Sequence, residues 1–296
     1  MEKLTRKQFD VLSRAALCPL PPQRELAKIL DCSLGTVNKI VSELTELGYI
    51  SGGSITPSGL EALEPYRAKR AIFIAAGFGS RMLPITLNTP KPLVRVHGVR
   101  IIDRLIDACL AAGIDEIYIV RGYLSELFDQ LLYKYPMIKF LENPLYNEAN
   151  NIGSALVARY LLSNAYVFEA DLLISNPKII TKYHYTSDFL GIKVDRTDDW
   201  CVEVNNGIIT NEKIGGSDCW QMVGISYWNE ADGHKLSQDI VGVYESPGGK
   251  ERYWEQVPLI YRKENYAVEI RDCLASDIVE IDTFRELKAI DRTYDV

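Results

Sequence analysis

The chain reads as two domains: a small helical domain over residues 1–67, then an α/β domain over residues 68–296 with a mixed, mostly parallel sheet. Three observations lead there. The charge balance breaks near Arg67-Ala68-Lys69-Arg70: residues 1–70 hold 10 Lys/Arg against 8 Asp/Glu, and residues 71–296 hold 23 against 32. Before the break, apolar residues recur at helical spacing; after it, β-branched runs alternate with helical faces. Composition, with 47% hydrophobic and 25% charged residues, excludes disordered, collagen-like and coiled-coil chains.

In the first domain, Leu26, Ala27, Ile29 and Leu30 form one helical face, and Val37, Ile40, Val41, Leu44 and Leu47 form another. Ser33 is placed to cap the second of these helices and Gly48 to end it. Tyr49–Ile55 reads as a tight hairpin around Gly52-Gly53, and Thr56-Pro57-Ser58 heads a further helix. Over residues 3–65 this order resembles the winged helix-turn-helix domains of bacterial transcription regulators. The resemblance implies DNA binding through Ser33–Leu47. The charge argues against it: that helix offers only Lys39 as a cation, beside Glu43 and Glu46, and the wing tip carries none. A regulatory or interaction module is the favoured expectation.

In the second domain, Arg70–Ala75 reads as a buried strand, Ile101–Leu110 as a helix, Glu116–Val120 as a strand and Asn150–Leu162 as a helix. Tyr166–Asp171 reads as a strand that ends in a carboxylate, where ligands of open α/β sheets bind. The first strand runs into Ala75-Ala76-Gly77-Phe78-Gly79-Ser80-Arg81, and Thr89-Pro90-Lys91-Pro92-Leu93 follows. A glycine turn after a strand lets backbone N–H groups close on phosphate oxygens. Arg81 and Lys91 add two cations on the same excursion of chain. The dinucleotide fingerprint fails at Met82, and no P-loop Gly-Lys-Ser/Thr is present.

These two segments are similar to the signature of nucleotidyltransferases that activate sugar phosphates or alcohol phosphates. The resemblance implies a Rossmann-like nucleotidyltransferase domain. It also implies backbone contacts to the nucleotide from Ala76, Gly77 and Gly79, with Arg81 and Lys91 as catalytic cations. By the same resemblance Asp171 becomes a ligand for Mg²⁺, and Ile281-Asp282-Thr283 matches the second metal segment. If Glu280 and Asp282 lie on one strand, both face the same ion, so Glu280 is read as a partner of Asp282. Tyr123, Asn150 and Asn151 are candidates for base and ribose recognition, because amides can satisfy the cytosine edge; turns use such Asn pairs as well.

For the acceptor, Trp200, Tyr253, Trp254 and Glu255 combine π faces with a carboxylate, as a quaternary ammonium group requires. From residue 70 to about 290 the chain resembles bacterial CTP:phosphocholine cytidylyltransferases, on Gly122-Tyr123-Leu124, Tyr146–Asn151, Ser226-Tyr227-Trp228, Tyr253-Trp254-Glu255 and Glu280-Ile281-Asp282. The implied reaction is CTP plus phosphocholine giving CDP-choline and pyrophosphate. The alternatives are a sugar 1-phosphate or another amino-alcohol phosphate as acceptor, or a transcription regulator that senses a nucleotide. The apolar runs Ala71–Ala76 and Ile117–Val120 are far short of the ~20 residues of a membrane span. Six scattered cysteines and the absence of a signal-like N-terminus suggest a cytoplasmic protein with reduced thiols. A homodimer is compatible with the sequence, which does not set the oligomeric state.

Overall fold

Thr5 opens the first helix with a reciprocal cap. Its hydroxyl accepts the Gln8 N–H at 3.3 Å, and the Gln8 side chain accepts the Thr5 N–H at 3.0 Å. The computed structural model describes residues 3–295. The chain forms two units, one running to Arg67 and taking in Tyr183–Tyr185, the other holding Ala68–Lys182 and the residues from Thr186 onward.

The first unit contains α1 (Arg6–Leu17), α2 (Gln23–Ile29), α3 (Leu34–Glu46), β1 (Ile50–Ser51), β2 (Ser54–Ile55) and α4 (Pro57–Leu63). Ser33 Oγ accepts the Thr36 N–H at 3.1 Å and starts α3. Gly52 and Gly53 both have positive φ, which gives the β1–β2 hairpin a turn whose twist matches its strands. Val11, Leu12, Leu26, Val37 and Leu44 form the core. Tyr66 and Tyr185 stack at 5.6 Å, Phe9 meets Tyr185 at 5.4 Å, and the Tyr185 hydroxyl donates to Leu4 O at 3.1 Å. A boundary drawn at residue 67 therefore omits three residues of this unit.

The second unit contains β3 (Arg70–Ile74), β4 (Arg95–Val96), β5 (Val99–Arg100), α5 (Ile101–Ala111), β6 (Glu116–Arg121), β7 (Lys139–Glu142), α6 (Ile152–Ala158), β8 (Ala165–Glu169) and β9 (Leu172–Ile174). It continues with β10 (Asp188–Asn205), β11 (Ile208–Trp228), α7 (Glu230–Tyr244), β12 (Glu269–Asp272), β13 (Ile278–Glu280) and α8 (Phe284–Ile290). The main sheet has the order β10-β12-β11-β8-β3-β6-β7. The pairs β8–β3, β3–β6 and β6–β7 are parallel, while β11 joins β8 antiparallel. The sheet is thus mixed, with its run of parallel strands, β8-β3-β6-β7, forming one side. β3 is buried on both faces: Ala71 and Phe73 pack with Leu105 and Ile106 of α5, while Ile72 packs with Ala155 of α6 and Ile240 of α7. That is why its sequence is a continuous apolar run.

Three expected boundaries shift. The helix read at 150–162 is α6 followed by a single 3₁₀ turn, Arg159–Leu161. β8 ends at Glu169, so Asp171 lies in the turn before β9. β13 ends at Glu280, so Asp282 is beyond the strand, just ahead of α8, whose cap is Thr283. The long β10–β11 hairpin was not read from the sequence, although Asn206-Gly207, both at positive φ, marks its turn. All six cysteines are free thiols. Among the described residues no helix is long and apolar enough to cross a membrane.

Replacing Tyr185 with Ala should destabilise the first unit by about 2–4 kcal/mol, the scale of deleting a packed aromatic. The loss should register as faster hydrogen exchange of the α1 amides. Unchanged protection would remove Tyr185 from that core.

Candidate active site

The glycine turn leaves β3 and is held from two sides. Tyr123 donates its backbone N–H to Ala76 O at 3.0 Å, and its hydroxyl donates to Thr86 O at 2.9 Å and Leu87 O at 3.1 Å. Its ring meets Phe78 edge to face at 4.6 Å. Gly79 has φ +66°, and a Cβ there would come within 3.2 Å of Lys91 Cβ and 3.3 Å of Thr86 Cγ2. The absent side chain is what lets the Lys91 segment close on the turn. Around Gly77 no atom lies within 4 Å of where a Cβ would stand, so that stretch of backbone is open to a ligand.

Lys91 is nine-tenths buried and holds two carboxylates, Asp171 Oδ2 at 2.7 Å and Asp282 Oδ1 at 3.0 Å. Arg81 grips Asp282 with both terminal nitrogens, at 2.6 and 2.8 Å. Burial works against the Lys91 charge, but Asp171 and Asp282 outweigh it and raise the pKa above the ordinary lysine value. Burial likewise opposes ionisation of Asp282, and Lys91 and Arg81 reverse this, holding its pKa low. Two further carboxylates crowd the pair. Glu169, Asp171 and Glu280 each offer an oxygen within 4.8 Å of the others. Burial, then the charges of Asp171 and Glu169, pushes Glu280 up to about 10. Burial, then Glu255 and Asp171, raises Glu169 well above the carboxylate range. Asp171 Oδ1 is buried and has no hydrogen-bond partner among the described residues. Four carboxyl groups facing two cations, with Glu169 and Glu280 pushed up by burial and by their neighbours, suit a further positive ion.

A cavity of about 410 Å³ opens beside this cluster, with Arg81, Glu169, Glu280 and Asp282 in its wall. The remaining wall comes from the β10–β11 hairpin and the segment after α7: Asp199, Trp200, Glu212, Met222, Gly224, Tyr253 and Glu255. Trp200 and Tyr253 meet at 5.4 Å with their planes 62° apart. A Cβ on Gly224 (φ +63°) would lie 2.8 Å from Glu169 Oε2, so this glycine makes room for the buried carboxylate. Asn151 Nδ2 donates to Glu255 Oε2 at 3.2 Å, and its Oδ1 accepts the Trp254 N–H at 2.8 Å. Burial raises Glu255 to about 7, with the Asn151 hydrogen bond acting in the opposite sense.

Of the residues singled out from the sequence, Arg81, Lys91, Asp171, Glu280 and Asp282 converge, and Trp200, Tyr253 and Glu255 share the adjoining cavity. Trp254 does not join them. It is core, against Phe189 and Trp228 at 6.1 and 6.0 Å. Tyr253 and Glu255 still reach the same cavity, but through a turn leading into a π-helical stretch (Val257–Tyr261) and not along a strand. The Asn pair is already engaged: Asn150 Nδ2 donates to Glu251 O at 3.2 Å, and Asn151 positions Glu255. Tyr123 acts on the glycine turn through its hydroxyl and ring. Glu169, Glu212 and Met222 were not singled out. The two-residue spacing of Glu169 and Asp171 was the visible hint of the first; Glu212, inside the polar run Thr210-Asn211-Glu212-Lys213, gave no signal.

Residues 70–189 match the nucleotidyl transferase family, and residues 4–51 match a winged helix-turn-helix DNA-binding family. A 2-aminoethylphosphonate cytidylyltransferase of Lancefieldella rimae is 37% identical over 228 residues, covering 76% of this chain and 92% of that protein. A choline-phosphate cytidylyltransferase of Streptococcus pneumoniae is 29% identical over 223 residues, covering 75% of this chain and 96% of that one. The solved structure of a CTP:phosphocholine cytidylyltransferase from Streptococcus pneumoniae superposes with a TM-score of 0.70 at 27% identity, over 77% of this chain and 99% of its own. The glycine turn, the buried lysine between two carboxylates and this identity along a relative's length lead to one conclusion: the chain belongs to the nucleotidyltransferases, among the cytidylyltransferases, and carries a winged helix-turn-helix domain ahead of the catalytic one.

Proposed function

We propose that the protein transfers the cytidylyl group of CTP, with magnesium, to a phosphate or phosphonate oxygen of a small acceptor bearing a cationic nitrogen. One observation carries the reading: a single cavity joins the Arg81–Asp282 pair and the carboxylate cluster to a wall of aromatic and acidic side chains. The acceptors in the relatives' names, 2-aminoethylphosphonate and choline phosphate, each combine an oxyanion with a cationic nitrogen. Phosphocholine, the acceptor implied by the sequence, is one member of that class.

The acceptor oxygen attacks the α-phosphorus in line. A new P–O bond forms there as the bond to the bridging oxygen breaks, and pyrophosphate leaves with that electron pair. No protein nucleophile takes part. In the free protein Lys91 and Arg81 rest on Asp171 and Asp282. A triphosphate competes with those carboxylates for both cations, which then neutralise the charge that builds on the departing pyrophosphate. The open backbone at Gly77 and the turn at Gly79 receive the nucleotide. An all-carboxylate donor set with an orphaned Asp171 oxygen fits a hard divalent cation. Asp171, Glu280 and Asp282 would hold magnesium, with Glu169 beside them. Bound there, magnesium supplies positive charge to the phosphate being transferred.

The winged-helix unit is proposed to serve regulation or interaction. On α3 the lone cation, Lys39, pairs with Glu43 at 3.8 Å, which leaves little for a phosphate backbone.

Pyrophosphate release should require CTP and magnesium and stop with chelator. Equal rates with chelator present, or turnover with sugar 1-phosphates alone, would refute the reading. Lys91→Ala and Asp171→Ala should each lower kcat by at least about 100-fold, the cost of losing one preorganised electrostatic group. Either variant with normal turnover would take that residue out of the mechanism.

A further inference from the structure

We propose that Glu212 receives the cationic nitrogen of the acceptor and selects a primary ammonium over a trimethylammonium group. The inference rests on reading the cavity as the acceptor site. Glu212 sits on β11 opposite Val202, is only 7% exposed, and yet lines the cavity. Its Oε2 is buried with no hydrogen-bond partner among the described residues. The neighbouring Lys213 does not help, because it pairs with Glu203. Burial raises the Glu212 pKa to about 7, as expected of a carboxylate that lacks a counter-charge.

The other carboxylates of the wall are served. Glu255 takes the Asn151 amide, and Asp199 Oδ1 accepts the Trp200 N–H at 2.7 Å. Glu212 alone among these three lacks a donor, and a buried acceptor left unmatched is costly. A ligand can supply what the chain does not. A primary ammonium brings three N–H donors. A trimethylammonium brings none and depends on π faces. Two rings line this cavity, Trp200 and Tyr253, and they meet each other edge to face instead of enclosing a volume. With a trimethylammonium bound, Glu212 Oε2 would stay buried and without a donor. With a primary ammonium bound, it gains a charge-assisted hydrogen bond. The favoured acceptors are therefore short phosphates or phosphonates that end in a primary ammonium.

The test is a kcat/KM series with CTP and magnesium for 2-aminoethylphosphonate, phosphoethanolamine and phosphocholine, using the full chain and Glu212→Gln. The parent should favour the two primary-ammonium acceptors by about tenfold or more, since a site built to hydrogen-bond a substrate N–H rejects analogues that lack it. Glu212→Gln should lower kcat/KM for those two by about 10–100-fold, mainly through KM, and change phosphocholine by less than about threefold. The thermal midpoint of the ligand-free variant at pH 8 should equal or exceed that of the parent, because an unpaired buried charge has been removed. The parent's preference needs no variant to fold. A parent that handles phosphocholine as well or better, or a variant that loses all three acceptors alike, would overturn the role of Glu212 and leave the cytidylyl reading standing. Turnover of sugar 1-phosphates with none of the three ammonium acceptors would overturn the acceptor-site reading and Glu212 together.

Discussion

Buried carboxyl groups that outnumber the cations beside them organise this molecule. Asp171, Asp282, Glu169 and Glu280 come together, and among the described residues Lys91 and Arg81 are the cations that pair with the two aspartates. Lys91 lies 80 residues before Asp171 and 191 before Asp282, so the contact ties the glycine turn, the end of β8 and the C-terminal segment into one cluster. A small apolar floor supports the same three segments, with Met82, Val94, Leu173, Ile281 and Leu287 packed together. Neither partner of such a pair is stable alone in low dielectric. In the free protein Lys91 and Arg81 answer Asp171 and Asp282, while Asp171 Oδ1 stays without a hydrogen-bond partner among the described residues.

The second constraint is the irregular β10–β11 hairpin. A regular ladder of that length would point alternate residues to opposite faces throughout. Here the register shifts, so that Cys201 pairs with both Lys213 and Gln221, and Val202 with both Glu212 and Trp220. The outer part of the hairpin thus folds back against Trp220 and Gln221, and Trp200 and Glu212, which share one of its faces, line the cavity together. Bulges re-aim side chains in this way next to binding sites. The acidic wall then meets Arg81 across one cavity, so that cationic and acidic side chains face the same space.

Much of the architecture was legible in the chain itself. The charge break near residue 67, the helical faces of the first domain and the buried strand at Arg70–Ile74 followed from local pattern, because periodicity and capping act over a few residues. The meeting of the glycine turn with Arg81 and Lys91 was legible for a related reason: Gly77, Gly79, Arg81 and Lys91 lie within one short stretch. Asp171 and Asp282 were placed by resemblance to a family, and they do meet Lys91, though both stand just past their strands and not on them.

What only the tertiary structure decided is which polar and aromatic groups are left to face the cavity. Trp254 has the right chemistry for a cation site, but packing against Phe189 and Trp228 claims it for the core. Asn151 has the right amide for a base, but Glu255 and the Trp254 backbone already use it. Glu212 looks like one more surface glutamate in a polar run. In the folded chain it is buried opposite Val202, and its Oε2 is left without a donor among the described residues. Local sequence sets element type through short-range sterics and hydrogen bonding. Burial and satisfaction of a side chain depend on segments tens to hundreds of residues away, and only the folded chain brings those together.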